Sequence, residues 1–178
     1  IIFANPPFVP TPDGIDGTIT SNGGREGNKF IEVLFRRLDT FLKPQGEALI
    51  LAFQIVENDK PLILNLISQY IECRSVEITP AQEKSIDFNV YLAAYLELFP
   101  KSKEAAMKWK SDLNTSYGEN LSLSHYIIHI RARTDTQTTH FFADNFEEKF
   151  GVDLMLRYDE RDLARGRVFE NVILGQIS

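Results

Sequence analysis

The chain is poor in the residues that announce most kinds of chemistry. Its 178 residues include one cysteine (Cys73), one tryptophan (Trp109), two methionines and three histidines. A lone cysteine excludes an intramolecular disulfide and a metal site built on thiolates, and it points to a reducing, cytoplasmic setting. No apolar run approaches the ~20 residues of a membrane-spanning helix, and no secretory leader pattern opens the sequence. A Walker loop, a Ser-His-Asp spacing and a clustered carboxylate pair are all missing, as are internal repeats and low-complexity segments. The net charge of −6 opposes a surface that grips nucleic acid mainly through its phosphates, though it leaves room for a local basic face. What remains is a globular composition, 43% hydrophobic with 13 phenylalanines, at a length that suits one domain with a real core.

The informative stretch stands at the start: Ile1-Ile2-Phe3-Ala4-Asn5-Pro6-Pro7-Phe8. Proline lacks the amide donor and pushes the preceding residue out of the helical region. The run therefore reads as a buried strand that stops at Asn5 and continues as a stiff, extended loop. In open α/β sheets, ligands bind beyond the carboxyl ends of such strands. Asn5 offers a side-chain carbonyl, and its own and the Pro6 backbone carbonyls are held at fixed angles by the rings. Phe8 offers a flat face. Two acceptors beside an aromatic suit a planar NH2 group, whereas the plainer alternative is that Asn-Pro-Pro only terminates a strand.

Asn5-Pro6-Pro7-Phe8 resembles the (Asn/Asp/Ser)-Pro-Pro-(Tyr/Phe) motif of class I methyltransferases that act on planar nitrogens. With Val9-Pro10-Thr11-Pro12, Gly23-Gly24-Arg25-Glu26-Gly27 and Leu42-Lys43-Pro44-Gln45-Gly46 in order behind it, the chain is similar to release-factor glutamine methyltransferases and their small-domain relatives. The likeness is specific over residues 1–56, loose to about Arg133 and absent beyond. It implies S-adenosylmethionine as cofactor and either a protein or a nucleic acid as methyl acceptor. By resemblance, Asn5 and Pro6 orient the target NH2 and Phe8 packs against it. Asn5 is also the one residue here that would touch the cofactor. Pro7, Val9, Gly23 and Gly24 complete the candidate substrate-facing set. The Gly-x-Gly turn that cradles the cofactor in this family is missing, as is its acidic partner. Ile1 then aligns with the family's fourth strand, and the chain reads as a piece of a longer protein. In that family the fourth strand lies between the first and the fifth, so residues 1–4 would be an open apolar edge, inviting self-association.

The rest of the chain reads as a strand-and-helix alternation. Val9 to Gly24 is a loop without periodicity, either a substrate-facing lid or a connector. A helix is predicted over 25–42, with Phe30, Leu34, Leu38 and Phe41 as its apolar stripe and Ile31, Phe35 and Leu42 beside it. Gly23-Gly24 before it would let backbone approach a ligand at a positive helix terminus, or would simply form the entry turn. Residues 47–53 form a strand buried on both faces, which completes a right-handed crossover unit. A second helix is expected from a cap at Asn58 or Asp59, with Pro61 in its first turn, to Ile71. A strand is predicted over 73–78. Residues 90–96 fit either strand or helix. A helix over 101–113 carries Trp109, read as core in preference to a substrate platform. A long strand over 121–133 puts His125 and His129 on one side, about 13 Å apart. That is too far for one metal, and both read as polar-face residues; no metal is expected. The tail from Thr134 suggests a helix with Phe142, Phe146 and Phe150, then strands at 152–156 and 168–174. Between those strands, Arg157, Arg161, Arg165 and Arg167 alternate with acidic residues, as a self-neutralised loop or a contact for an acidic partner.

The fold class expected is α/β: the C-terminal half of a Rossmann-like methyltransferase sheet, mixed and mostly parallel, with an added α+β tail over 134–178. Two functions fit. One is methyl transfer from S-adenosylmethionine to a glutamine amide or an adenine N6. The other is a non-catalytic binding module that keeps half of the fold.

Overall fold

The apolar run after the first crossover becomes the strand on which the other elements are laid. In the computed structural model, which describes residues 1–15, 21–72, 74–81, 84–132 and 139–141, this strand is β2 (Ala48–Glu57). It is preceded by β1 (Ile2–Ala4) and α1 (Lys29–Phe41), and followed by β3 (Lys60–Pro61), α2 (Ile63–Tyr70), β4 (Arg74–Pro80) and β5 (Ile86–Asp87). Then come α3 (Phe88–Leu98), α4 (Lys103–Tyr117), β6 (Leu121–Ala132) and β7 (Thr139–Phe141). The sheet order is β1-β2-β6-β4-β7, with β3 added on β2 and β5 on β6.

β1 lies parallel to β2, Ile2 opposite Ala48 and Ala4 opposite Ile50, with α1 as the crossover between them. β6 then runs antiparallel between β2 and β4, from Ala48↔Ile130 to Glu57↔Leu121 on one side and Arg74↔Ala132 to Pro80↔Tyr126 on the other. The sheet is mixed, as expected, but among the described residues its pairings are mostly antiparallel, with β1/β2 and β4/β7 parallel. The expectation of a mostly parallel sheet missed that the long C-terminal strand inserts in reverse between two strands pointing the same way. β1 sits at the end of the order and is not the buried strand expected: Phe3 is 75% exposed and Ile1 82%, and Ile2 and Ala4 are only half-buried, because one edge of the strand has no partner among the described residues.

Several boundaries move for local reasons. α1 begins four residues later than the apolar pattern suggests, because Gly24 and Gly27 both hold positive φ (81° and 78°) and keep the chain turning until Asn28. The face that α1 buries is Ile31, Phe35 and Leu38; Phe30 and Phe41 point outward at 39% and 62% exposure. Arg74 closes the other end of α1. It is 7% exposed, donates Nε to Asp39 (2.7 Å), and reaches the Leu42, Lys43 and Gly46 carbonyls of the turn that follows the helix. Asn58 and Asp59 do not cap a helix. Both take positive φ (47° and 62°) in a two-residue hairpin from β2 into β3, which places Pro61 in a strand and starts α2 at Ile63. The ambiguous stretch at 90–96 is helical, fixed by Asp87, whose Oδ1 accepts from the Asn89 and Val90 amides.

Alternation along β2 assigns the two sheet faces. Phe53 packs on Tyr91 of α3 with ring centroids 5.8 Å apart, whereas its neighbour Gln54 turns to Asn28 at the start of α1. Trp109 is 3% exposed and packs between Phe88, Tyr91 and Tyr95, core as expected. No helix among the described residues is long and apolar enough to cross a membrane. β7 had no counterpart in the sequence reading, while the helix at Phe142–Phe150, the two later strands and the arginine run lie outside the described residues, as does Cys73.

Candidate functional site

The loop joining β1 to α1 starts at the carboxyl end of a parallel strand and folds back on itself. Its first limb is stiffened by Pro6, Pro7, Pro10 and Pro12, and its second limb carries Gly23, Gly24 and Gly27. Three backbone hydrogen bonds zip the limbs together: Val9 N to Ser21 O (2.8 Å), Gly23 N to Val9 O (2.9 Å) and Thr11 N to Gly24 O (2.9 Å). The Asn22 side chain accepts from the Gly24 amide at 2.8 Å, and the Thr11 hydroxyl donates to Val9 O at 3.0 Å.

The structure separates the sequence-predicted residues into three groups. Asn5 is exposed, directly beyond β1, and its side-chain amide has no hydrogen-bond partner among the described residues. Pro6 and Pro7 are half-buried beside it. Phe8 and Val9 turn inward instead, at 5% and 4% exposure. The Phe8 ring meets His125 edge-on at 6.2 Å, so it anchors the loop to the core and shows no open face beside Asn5. Gly23 and Gly24 line a cleft of about 490 Å³ at the start of α1, together with Thr11, Asp13, Arg25, Glu26, Asn28 and Lys29. Asn5 and Pro6 do not line that cleft.

Close packing gives two of the glycines a physical reason. A Cβ on Gly23 would sit 2.7 Å from the Phe8 carbonyl carbon, and one on Gly27 would sit 2.4 Å from the Phe8 carbonyl oxygen. Gly27 also holds a positive φ, which costs a side-chain-bearing residue about 1–2 kcal/mol before any clash. Gly27→Ala should therefore lower the unfolding free energy by about 2 kcal/mol or more in urea titration. Gly14→Ala is the control, because Gly14 shares the positive φ (75°) but has nothing within 4 Å of its Cβ. Equal losses in the two variants would show that the close approach to Phe8 carries no weight.

Sequence reasoning missed the layer beneath the loop. Tyr91 donates its hydroxyl to Pro10 O (2.9 Å), Trp109 Nε1 to Arg25 O (2.9 Å), and Tyr117 its hydroxyl to Glu26 Oε1 (2.5 Å). Burial pushes the Tyr91 and Tyr117 phenols above the ordinary tyrosine value, with Tyr95 adding to the first and the Glu26 hydrogen bond to the second. Gln54, fully buried on β2, donates Nε2 to Asn28 Oδ1 at 2.8 Å; its Oε1 finds no partner among the described residues. The one available signal was a glutamine inside the apolar run of β2.

His125 and His129 share a side of β6, but they are not both polar-face residues. His125 is fully buried, stacked on Phe53 at 4.4 Å, and desolvation drops its pKa to about 3. His129 lies at the surface between two carboxylates, Nε2 to Glu47 at 3.2 Å and Nδ1 to Glu77 at 3.9 Å, while Arg131 also pairs with Glu77. The two carboxylates address different ring nitrogens on opposite sides of the imidazole, which is not the arrangement of one metal's ligands. Among the described residues, no group of three or more His, Cys, Asp or Glu could hold a metal ion.

No protein-family model and no curated protein matches this chain.

Proposed function

We propose that the chain is the acceptor-orienting part of a methyltransferase that acts on a planar nitrogen, a protein glutamine amide or an adenine N6. The observation that carries this reading is the Asn5 amide: exposed, unpartnered among the described residues, and set at the carboxyl end of a parallel strand on a proline-stiffened loop. Its Oδ1 and the Pro6 carbonyl would accept the two hydrogens of an NH2 group and leave the nitrogen lone pair aimed outward. Such a transfer needs little acid–base chemistry, and positioning is its main lever. The inward Phe8 would serve by fixing the loop. An adenine within a duplex would have to be flipped out to reach Asn5.

The strand geometry supports the same alignment. β1 pairs with the strand that follows the crossover helix, as the family's fourth strand does with its fifth, and its other edge has no partner among the described residues. S-adenosylmethionine would supply an electrophilic methyl group. Among the described residues Asn5 would offer it a contact and no glycine-rich cradle is present, so on this reading its main site would lie outside these residues. The chain alone should thus bind S-adenosylmethionine weakly or not at all in calorimetry. Low-micromolar binding by these 178 residues would overturn the alignment of β1 with the fourth strand. The absent cradle equally favours the second reading, a non-catalytic module, and methyl transfer by the cofactor-competent protein onto a glutamine peptide or an adenine oligonucleotide separates the two. A cytoplasmic setting belongs to this proposal, resting on the single cysteine.

The same edge bears on partners. β1 has neither the charges nor a bulge that blunt natural edge strands, and Phe3 stands out beside it. We expect concentration-dependent self-association through β1 in sedimentation velocity, reduced by Phe3→Lys. A monodisperse monomer with slow amide exchange at Phe3, whose amide faces away from β2, would show that the edge is covered within the chain.

A further inference from the structure

The loop that presents Asn5 makes its most distant contacts with α3 and α4, which supply none of the residues assigned to the acceptor. Tyr91 is 1% exposed and reaches Pro10 O across 81 positions of sequence. Its ring is held against Phe53, Phe88 and Trp109, with centroids 5.8, 6.1 and 6.4 Å away, and from there the hydroxyl reaches Pro10 O at 2.9 Å. Pro10 cannot donate a hydrogen bond, and its carbonyl is the group through which α3 holds the first limb. From Pro10 back to Asn5 the chain contains two further prolines, so the limb moves as a stiff piece.

We propose that Tyr91 is a positioning residue for the acceptor site: its hydroxyl, through Pro10, fixes where Asn5 and Pro6 point. The proposal rests on the methyl-acceptor reading for its purpose but not for its test. Trp109 ties the second limb at Arg25, and the zipper between the limbs makes the loop respond as a unit. Losing the Tyr91 hydroxyl leaves a buried carbonyl without its partner, and loosens the limb without opening the sheet.

Tyr91→Phe tests this, because it keeps every ring contact and removes only the hydrogen bond. Hydrogen exchange by NMR on the full chain should show the Val9 and Thr11 amides exchanging about tenfold faster. The Ile50 and Ala52 amides, in the middle of β2, should keep their wild-type rates. Unchanged rates at Val9 and Thr11 would overturn the proposal. So would equal acceleration at all four amides, since that marks a merely structural loss of global stability. If Tyr91→Phe proves too unstable to measure, Trp109→Phe should speed the Gly27 and Lys29 amides with β2 unchanged, and a uniform change there would count against the clamp. Exchange involves no cofactor and no chemistry, so a protein that never transfers methyl groups would sink the functional reading and leave this test in force.

Discussion

Asn5→Ala should lower methyl transfer by the cofactor-competent protein about a hundredfold and leave its unfolding midpoint where it was. Groups aimed at the reacting centre are worth roughly 3 kcal/mol each when removed, which is two powers of ten in rate. The side chain is exposed and without a partner among the described residues, so its loss takes nothing from the core. Surface changes of that kind stay within about 0.5 kcal/mol in stability. Asn5→Asp should be milder, since one oxygen still accepts and some proteins with the same motif carry aspartate there. Phe8→Ala should show the opposite signature. Phe8 is 5% exposed against His125, and removing a buried Phe costs about 3–5 kcal/mol of stability. Near-wild-type turnover for Asn5→Ala would remove Asn5 from the catalytic assignment, whatever Phe8→Ala did.

How far the sequence carried is seen at particular residues. The Asn-Pro-Pro break, the crossover, the β2 run and the alternation of β6 were all legible, because each is a local pattern with its own period. The start of α1 was not, since two glycines with positive φ delay a helix whose apolar periodicity already runs through them. Asn58-Asp59 reads equally as a helix cap and as a left-handed hairpin turn; only the partner strand decides, and that is a long-range fact. The same holds for the site. Asn5 could be picked out by its neighbours in sequence, but the residues that hold its loop, Tyr91, Trp109 and Tyr117, lie 81 to 91 positions from their partners. His125 looked polar because alternation gives the side of a strand but not what covers it, and here the Phe8 and Phe53 rings lie against it.

That covering makes His125 the source of an acid sensitivity. In the unfolded chain its imidazole has the ordinary value of 6.5; in the fold, burial alone pulls it to about 3. Above pH 6.5 it is neutral in both states and contributes no pH dependence. Between 6.5 and 3 the unfolded chain binds a proton that the folded chain refuses, so stability falls as pH falls, by up to about 1.4 kcal/mol per unit. From pH 7 to pH 5 this amounts to about 2 kcal/mol, a large share of a typical 5–15 kcal/mol. The window above pH 5 lies over the range where exposed carboxylates titrate, which keeps their contribution small. His129, which faces Glu47 and Glu77, and His140 are the other two histidines to control for. Urea unfolding at pH 7, 6 and 5 should show the slope in the wild type, in His129→Gln and in His140→Gln. In His125→Phe, which keeps a ring against Phe53 and Phe8, the slope should be lost whatever happens to absolute stability. An undiminished slope in His125→Phe would mean that the proton enters elsewhere and that His125 is not buried as a neutral ring.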